Sequence, residues 1–149
     1  MDRRAIRDRL DNRLVNVSVP PRPHLGWVRA IREALNMSAA EMGERMGVNH
    51  QRVFAIEKAE QARAIQLDTL DRAAAALGCR VEYVLVPADG TSLADMVHRQ
   101  AEGKARQELQ STDTTMQLED QPVSEATRDN LLAGRIADLI DKRGLWRHD

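Results

Sequence analysis

Ser38–Lys58, SAAEMGERMGVNHQRVFAIEK, is the stretch whose reading decides the fold. Ser38 followed three residues later by Glu41 makes a capping box, so a helix is expected to open there. Met42 and Met46, four apart, mark its buried face. Gly43 sits mid-helix, where glycine costs ~1 kcal/mol relative to alanine, and points to another backbone passing close by. Gly47 falls where this helix should stop, because glycine takes the left-handed C′ conformation without a Cβ penalty. Asn49 then caps a second helix, with Val53 and Ile56 inward and His50, Gln51 and Arg52 in the exposed first turn. Two short helices joined by a tight turn read as a helix-turn-helix. In that motif the second helix lies in the major groove of DNA, its N-terminal residues at base edges.

Working outward, the chain of 149 residues has room for one compact domain plus an appendage, or for two small domains. Charged residues are 30% and aromatics only 3%, so the core must be built from Leu, Ile, Val, Ala and Met, which suits helices. The net charge of −1 supplies no bulk attraction to nucleic acid, so DNA binding needs a local basic surface. A single cysteine, Cys79, excludes an internal disulfide and a cysteine-based zinc site. No segment has the pattern of a signal peptide or of a membrane span, and the expected location is the cytoplasm.

Residues 2–14 place Ile6, Leu10 and Leu14 on one stripe of a charged helix. That helix is either a surface or pairing helix, or a basic arm for phosphates. Val15–Val19 alternates like a short strand before Pro20, Pro21 and Pro23 stiffen the link. Leu25–Leu35 and Leu67–Leu77 are further helices, the latter stopped by Gly78. Cys79–Val86 changes to period two and reads as a strand. Its partner is either Val15–Val19 or the same strand of a second copy. Ser92–Gln110 is a long helix, Ser111–Thr115 interrupts the pattern with small polar residues, and Ser124 opens a last helix.

An enzyme is not expected. No phosphate loop, dinucleotide fingerprint, nucleophile elbow or metal-spaced histidine pair is present. The four histidines are scattered, and pairs such as Glu41/Glu44 and Asp138/Asp141 read as solvated helix faces. For DNA the chemistry is more specific. Gln pairs bidentately with adenine and Arg with guanine, each contact worth about 1–3 kcal/mol of discrimination. His50, Gln51, Arg52 and the small Ala55 are therefore the candidate base-contacting residues. Candidate phosphate contacts are Ser38, Ala39 and Asn49 at helix starts, with Arg45, Lys58 and Arg63 as clamps. The bland alternative is an ordinary helical hairpin with an exposed polar face.

Residues 25–78 resemble the Xre/phage-repressor class, which packs five short helices. The resemblance is carried by Ser38-x-x-Glu41, the Gly47–Val48 turn, and Ile56–Glu57 followed by basic Lys58. The sequence departs from that pattern at Ala59, where the class often has Gly, and at Gly43, where Ala is usual. A wider resemblance is to the family called mobile mystery protein A. It is carried by Arg22–Pro23, Gly26–Trp27, Arg29–Arg32, Ala34–Ser38, Gln51–Val53, Leu77–Cys79, Tyr83–Pro87, Thr115–Met116, Leu118–Glu119 and Leu145–Trp146. Those are helix-turn-helix proteins encoded on mobile elements beside a Fic-domain partner, so the resemblance implies an antitoxin-like regulator of a Fic adenylyltransferase. It also implies a role for Thr115-Met-Gln-Leu-Glu119. This segment is similar to the Ser/Thr-x-x-x-Glu-Gly/Asn helix that restrains Fic enzymes, although Asp120 stands in the last place. The alternative is a polar linker in which Met116 and Leu118 merely pack.

The expected architecture is mostly α, with a five-helix DNA-binding domain, one added β-strand and a C-terminal helical arm. Residues 1–23 form a basic helix and Pro-rich linker, 24–90 the helix-turn-helix domain plus strand, and 91–149 the arm for dimer or partner binding. The expected function is sequence-specific binding of double-stranded DNA by a homodimeric autorepressor on a pseudo-palindromic operator, paired with a Fic-domain protein. No cofactor, metal or membrane is expected. The alternative is a protein-binding antitoxin whose arm inhibits the Fic enzyme, with DNA binding secondary.

Overall fold

The computed structural model describes residues 2–117 and 124–148, the side chains of 113–117 excepted. Its elements are helices: α1 (Arg3–Leu14), α2 (Trp27–Ala34), α3 (Ala39–Met46), α4 (His50–Gln61), α5 (Leu67–Ala76), α6 (Leu93–Gln117) and α7 (Glu125–Ile140). They fall into two units, residues 18–84 in one, and residues through 17 with those from 85 onward in the other.

In the 18–84 unit, α2 to α5 close around Val28, Met42, Val53, Ile56, Ala73, Ala76 and Leu77. Met42 and Val53 are wholly buried, so α3 and α4 each contribute one central side chain. Gly43 is where these two helices meet. A Cβ there would stand 2.5 Å from the Val48 carbonyl oxygen and 3.3 Å from the Asn49 carbonyl carbon. The close backbone expected from the sequence is thus the turn itself, and the Val48 N–H donates to the Gly43 carbonyl at 2.8 Å. Gly47 ends α3 in the left-handed region at φ 71°.

Helix α4 is anchored to α2 by two buried acids on its inner face. Glu60 accepts from the Trp27 N–H at 3.0 Å and the Val28 N–H at 2.8 Å. It thereby supplies a cap that Gly26, lacking a side chain, does not. Glu57 forms a buried ion pair with Arg32, whose Nη1 also donates to the Met37 carbonyl at 2.9 Å. A buried carboxylate is tolerated only when its lone pairs are met in this way.

The other unit is built on α6 and α7, which run antiparallel. Ala101 and Ala105 lie against Ile136, Leu139 and Leu145. Glu108 pairs with Arg135, and Gln100 donates to the Leu145 carbonyl. Helix α1 joins this unit through Asp11, whose carboxylate caps the start of α6 by accepting from the Leu93 N–H (2.7 Å) and the Ala94 N–H (3.1 Å). At its other end, Arg4 and Arg7 meet the Asp141 carboxylate just past α7, and Arg3 donates to the Asp141 carbonyl. Those arginines satisfy the end of a helix, where carbonyl groups gather negative charge.

Three expectations are corrected. There is no strand among the described residues, so the chain is all-helical where described rather than mostly α with an added strand. Cys79–Val86 has no regular secondary structure: its backbone from 80 to 86 makes no hydrogen bond among the described residues, and Tyr83 and Leu85 are 72% and 79% exposed. Val15–Val19 does not pair with it. Alternation of side chains specifies extended backbone, whereas a strand also needs a neighbouring ladder, which a single chain does not provide here. Second, the helix-turn-helix unit has four helices instead of five, with irregular chain following α5. Third, α6 runs through Ser111–Thr115 to Gln117. The Ser111 hydroxyl donates to the Gln107 carbonyl at 3.1 Å and the Thr112 hydroxyl to that of Glu108 at 3.0 Å. Small polar residues that bond back to the previous turn need not break a helix.

Removing the Glu57 carboxylate would leave Arg32 charged and unpaired in the interior. Glu57→Ala should cost about 3 kcal/mol of stability in urea unfolding. A loss below about 1 kcal/mol would show that the pair is not what holds α4 to α2.

Candidate nucleic-acid interface

The interface is assembled from the start of α3, the turn, and the face of α4 turned away from α2. The Ser38 hydroxyl accepts from the Glu41 N–H at 3.1 Å, and the Glu41 carboxylate accepts from the Ser38 N–H at 2.7 Å. That backbone donor holds the Glu41 carboxyl below the usual range, with the Ser38 side chain adding to it. A depressed pKa means that the box supports α3 above the ordinary glutamate range and loses this support as pH falls through the lowered value. Because the Ser38 N–H is already engaged, the N–H groups left at this helix start are those of Ala39, itself a buried residue of the core, and of exposed Ala40. Asn49 is likewise occupied as a cap, its side-chain oxygen accepting from the Arg52 N–H at 2.8 Å.

On α4 the inner face is Val53, Ile56, Glu57 and Glu60, all buried. His50, Gln51, Arg52, Ala55 and Lys58 are exposed. Gln51, Ala55 and Lys58 fall on the side opposite the buried face at 100° per residue, whereas Arg52 lies toward α5. The guanidinium-bearing residues divide in the same spirit. Arg22, Arg29, Arg32 and Arg80 are each paired with a glutamate. Arg45, Arg52, Lys58, Arg63 and Arg72 make no ion pair in this unit. Arg45 donates from Nε to the Ala76 carbonyl at 2.6 Å. Arg63 holds a positive φ of 58° in the loop after α4, away from Arg45 and Arg52. Arg45, Arg52 and Arg72 share one lining that holds no acid, although Glu44 of α3 and Asp68 and Asp71 of α5 are likewise exposed and without an ion pair in this unit.

Sequence reading missed Phe54. It is the chain's single phenylalanine, it is 51% exposed, and it meets the His50 ring edge-on with centroids 6.2 Å apart. The available signal was its place beside Val53 but off the Val53/Ile56 face, where an aromatic has no core to enter. Thr115 lies on the last part of α6 with its side chain undescribed, and Glu119 lies outside the described residues.

Residues 28–84 match the family model HTH_3, described as helix-turn-helix. This chain carries a DNA-binding domain of the Xre type, the domain of a DNA-binding regulator. No curated protein matches the chain, and no solved structure matches it. No helix among the described residues is long and apolar enough to cross a membrane.

An exposed aromatic on a groove-facing helix is suited to the methyl group of thymine. With a duplex selected from a randomised pool, replacing single thymines by uracil should weaken wild-type binding at a defined position of the selected sequence. Phe54→Ala should be insensitive to that replacement. Equal sensitivity of both proteins would place Phe54 away from the bases.

Proposed function

We propose that the chain is a cytoplasmic, sequence-specific transcriptional regulator that represses its own operon as a homodimer on a pseudo-palindromic operator. The observation that carries this reading is the division of α4. One face is clamped to α2 through Glu57 and Glu60, the opposite face presents Gln51, Ala55 and Lys58 to solvent, and His50 and Phe54 are exposed on the flank between them. In the proposed complex Gln51 pairs with adenine and His50 and Ala55 flank it, while the Ala39 N–H, Lys58 and Arg63 meet backbone phosphates. Ser38 and Asn49 support them as caps. One such module has a small footprint, and two copies about one helical turn apart, on the order of 34 Å, bring both recognition helices to one side of the duplex.

Selection from a randomised duplex pool should return an inverted repeat with that spacing. Gln51→Ala should lose about 1–3 kcal/mol of discrimination at one position of each half-site while keeping its non-specific affinity. Recovery of no preferred sequence by the wild-type protein, or unchanged discrimination by the variant, contradicts the proposal.

A second reading is supported by the Thr115-x-x-x-Glu119 spacing and by the resemblance to proteins paired with Fic enzymes. In it, the segment after α6 also restrains a Fic-domain partner, Glu119 occupying the partner's nucleotide site. Co-expression of Glu119→Ala with the Fic protein encoded beside it should release adenylylation. Suppression equal to wild type removes Glu119 from the mechanism.

A further inference from the structure

We infer that Arg45, Arg52 and Arg72 form a seat for a phosphodiester of the DNA backbone at the wall of the major groove. The three come from α3, α4 and α5 and line one open cavity of about 460 Å³ within the 18–84 unit. Val48, Ile56 and Thr69 also line it. At ~30 Å³ per water, that volume takes a phosphate group together with bridging waters.

Three cations converge on this cavity, and no acid lines it. Among the described residues Arg52 and Arg72 have no carboxylate partner, and Arg45 uses only its Nε on the Ala76 carbonyl, leaving its terminal nitrogens. The nearest acids in sequence are Glu44, Asp68 and Asp71. Asp68 accepts from the Thr69 N–H instead. Like charges gathered without a counter-charge repel one another, and an anion in the cavity relieves that repulsion.

The source of the anion follows from position, and here the inference rests on the DNA-binding reading. Arg52 stands on the flank of α4 that faces α5. A helix about 10–12 Å across fills a major groove about 12 Å wide, so a residue on the flank that borders the cavity meets the phosphate wall. Arg52 is thereby assigned to the backbone, and Arg72, which no local sequence pattern singles out, becomes its partner. Arginine suits the task because its planar fork matches phosphate oxygens.

The test is equilibrium binding of wild type, Arg52→Gln and Arg72→Gln to the selected duplex and to a scrambled one, over about 50–200 mM salt. Arg72 is exposed and unpaired, so its variant should melt as wild type does. Each substitution should reduce the slope of log K against log salt by about 1, so that wild type loses about three- to fourfold more affinity than the variant over that range. The loss should be equal on both duplexes, and a neutral methylphosphonate at the flanking phosphate should weaken wild type but not Arg72→Gln. An unchanged slope, or a changed base preference in Arg52→Gln, overturns the seat while leaving DNA binding intact. Stabilisation of the free protein by inorganic phosphate that Arg72→Gln abolishes, with the DNA slope unchanged, assigns the cavity to a small phosphate and also overturns it. Wild-type protein that binds neither duplex overturns this inference and the DNA reading together.

Discussion

The orientation of the recognition helix depends on two carboxylates that α4 carries on its buried face. Glu57 and Glu60 stand three residues apart, so both point at α2. One meets Arg32, and the other closes the open N–H groups at the start of α2. Apolar packing of Val53 and Ile56 alone would hold α4 in the core but would resist rotation weakly, because such contacts lack direction. Charge-assisted hydrogen bonds to fixed donors have direction. With the inner face held so, the face bearing Gln51, Ala55 and Lys58 is turned outward.

The electrostatics of the 18–84 unit follow from the same arrangement. Three acids are placed inside or on a cap: Glu57 and Glu60 in the interior, Glu41 on the Ser38 N–H. Their partners on the α2 side are neutralised. Glu44, Asp68 and Asp71 stay exposed, so the positive charge of this unit is local: it is the one lining shared by Arg45, Arg52 and Arg72, which holds no acid. The other unit uses its arginines differently. Arg3, Arg4 and Arg7 of α1 are engaged just beyond the end of α7, and Asp11 of α1 caps α6. Of the two readings of this helix, pairing helix or phosphate arm, these contacts are those of a pairing helix.

Much of the helix-turn-helix was legible because its determinants act over three or four residues. The Ser38–Glu41 box, the Gly47 stop and the Asn49 cap all form as the spacing requires. Gly43 was legible for a related reason, since a costly residue kept inside a helix implies a close neighbour. The failures come from interactions at longer range or from competition between local preferences. Cys79–Val86 has the side-chain pattern of a strand, yet a ladder is a property of two segments. Ser111 and Thr112 favour turns in isolation, but their hydroxyls find acceptors one turn back within α6. Phe54 was passed over because an aromatic is read first as core, and only the finished packing shows which face of α4 has no room for it.

The sequence by itself determined where α3 begins and ends, where α4 begins, that a tight turn joins them, and which side of α4 is apolar. Each of these is set by caps, glycines and periodicity within a few residues. The sequence did not determine the end of α4, which runs past Lys58 to Gln61 through residues that read as a polar loop. Tertiary structure alone decided that Arg32 meets Glu57, twenty-five residues away, and that Glu60 caps a helix thirty-two residues earlier. It also decided that Arg45, Arg52 and Arg72 share one cavity. No local pattern encodes these pairings, because side chains far apart in the chain become neighbours only once the core of Met42, Val53 and Ala73 has closed.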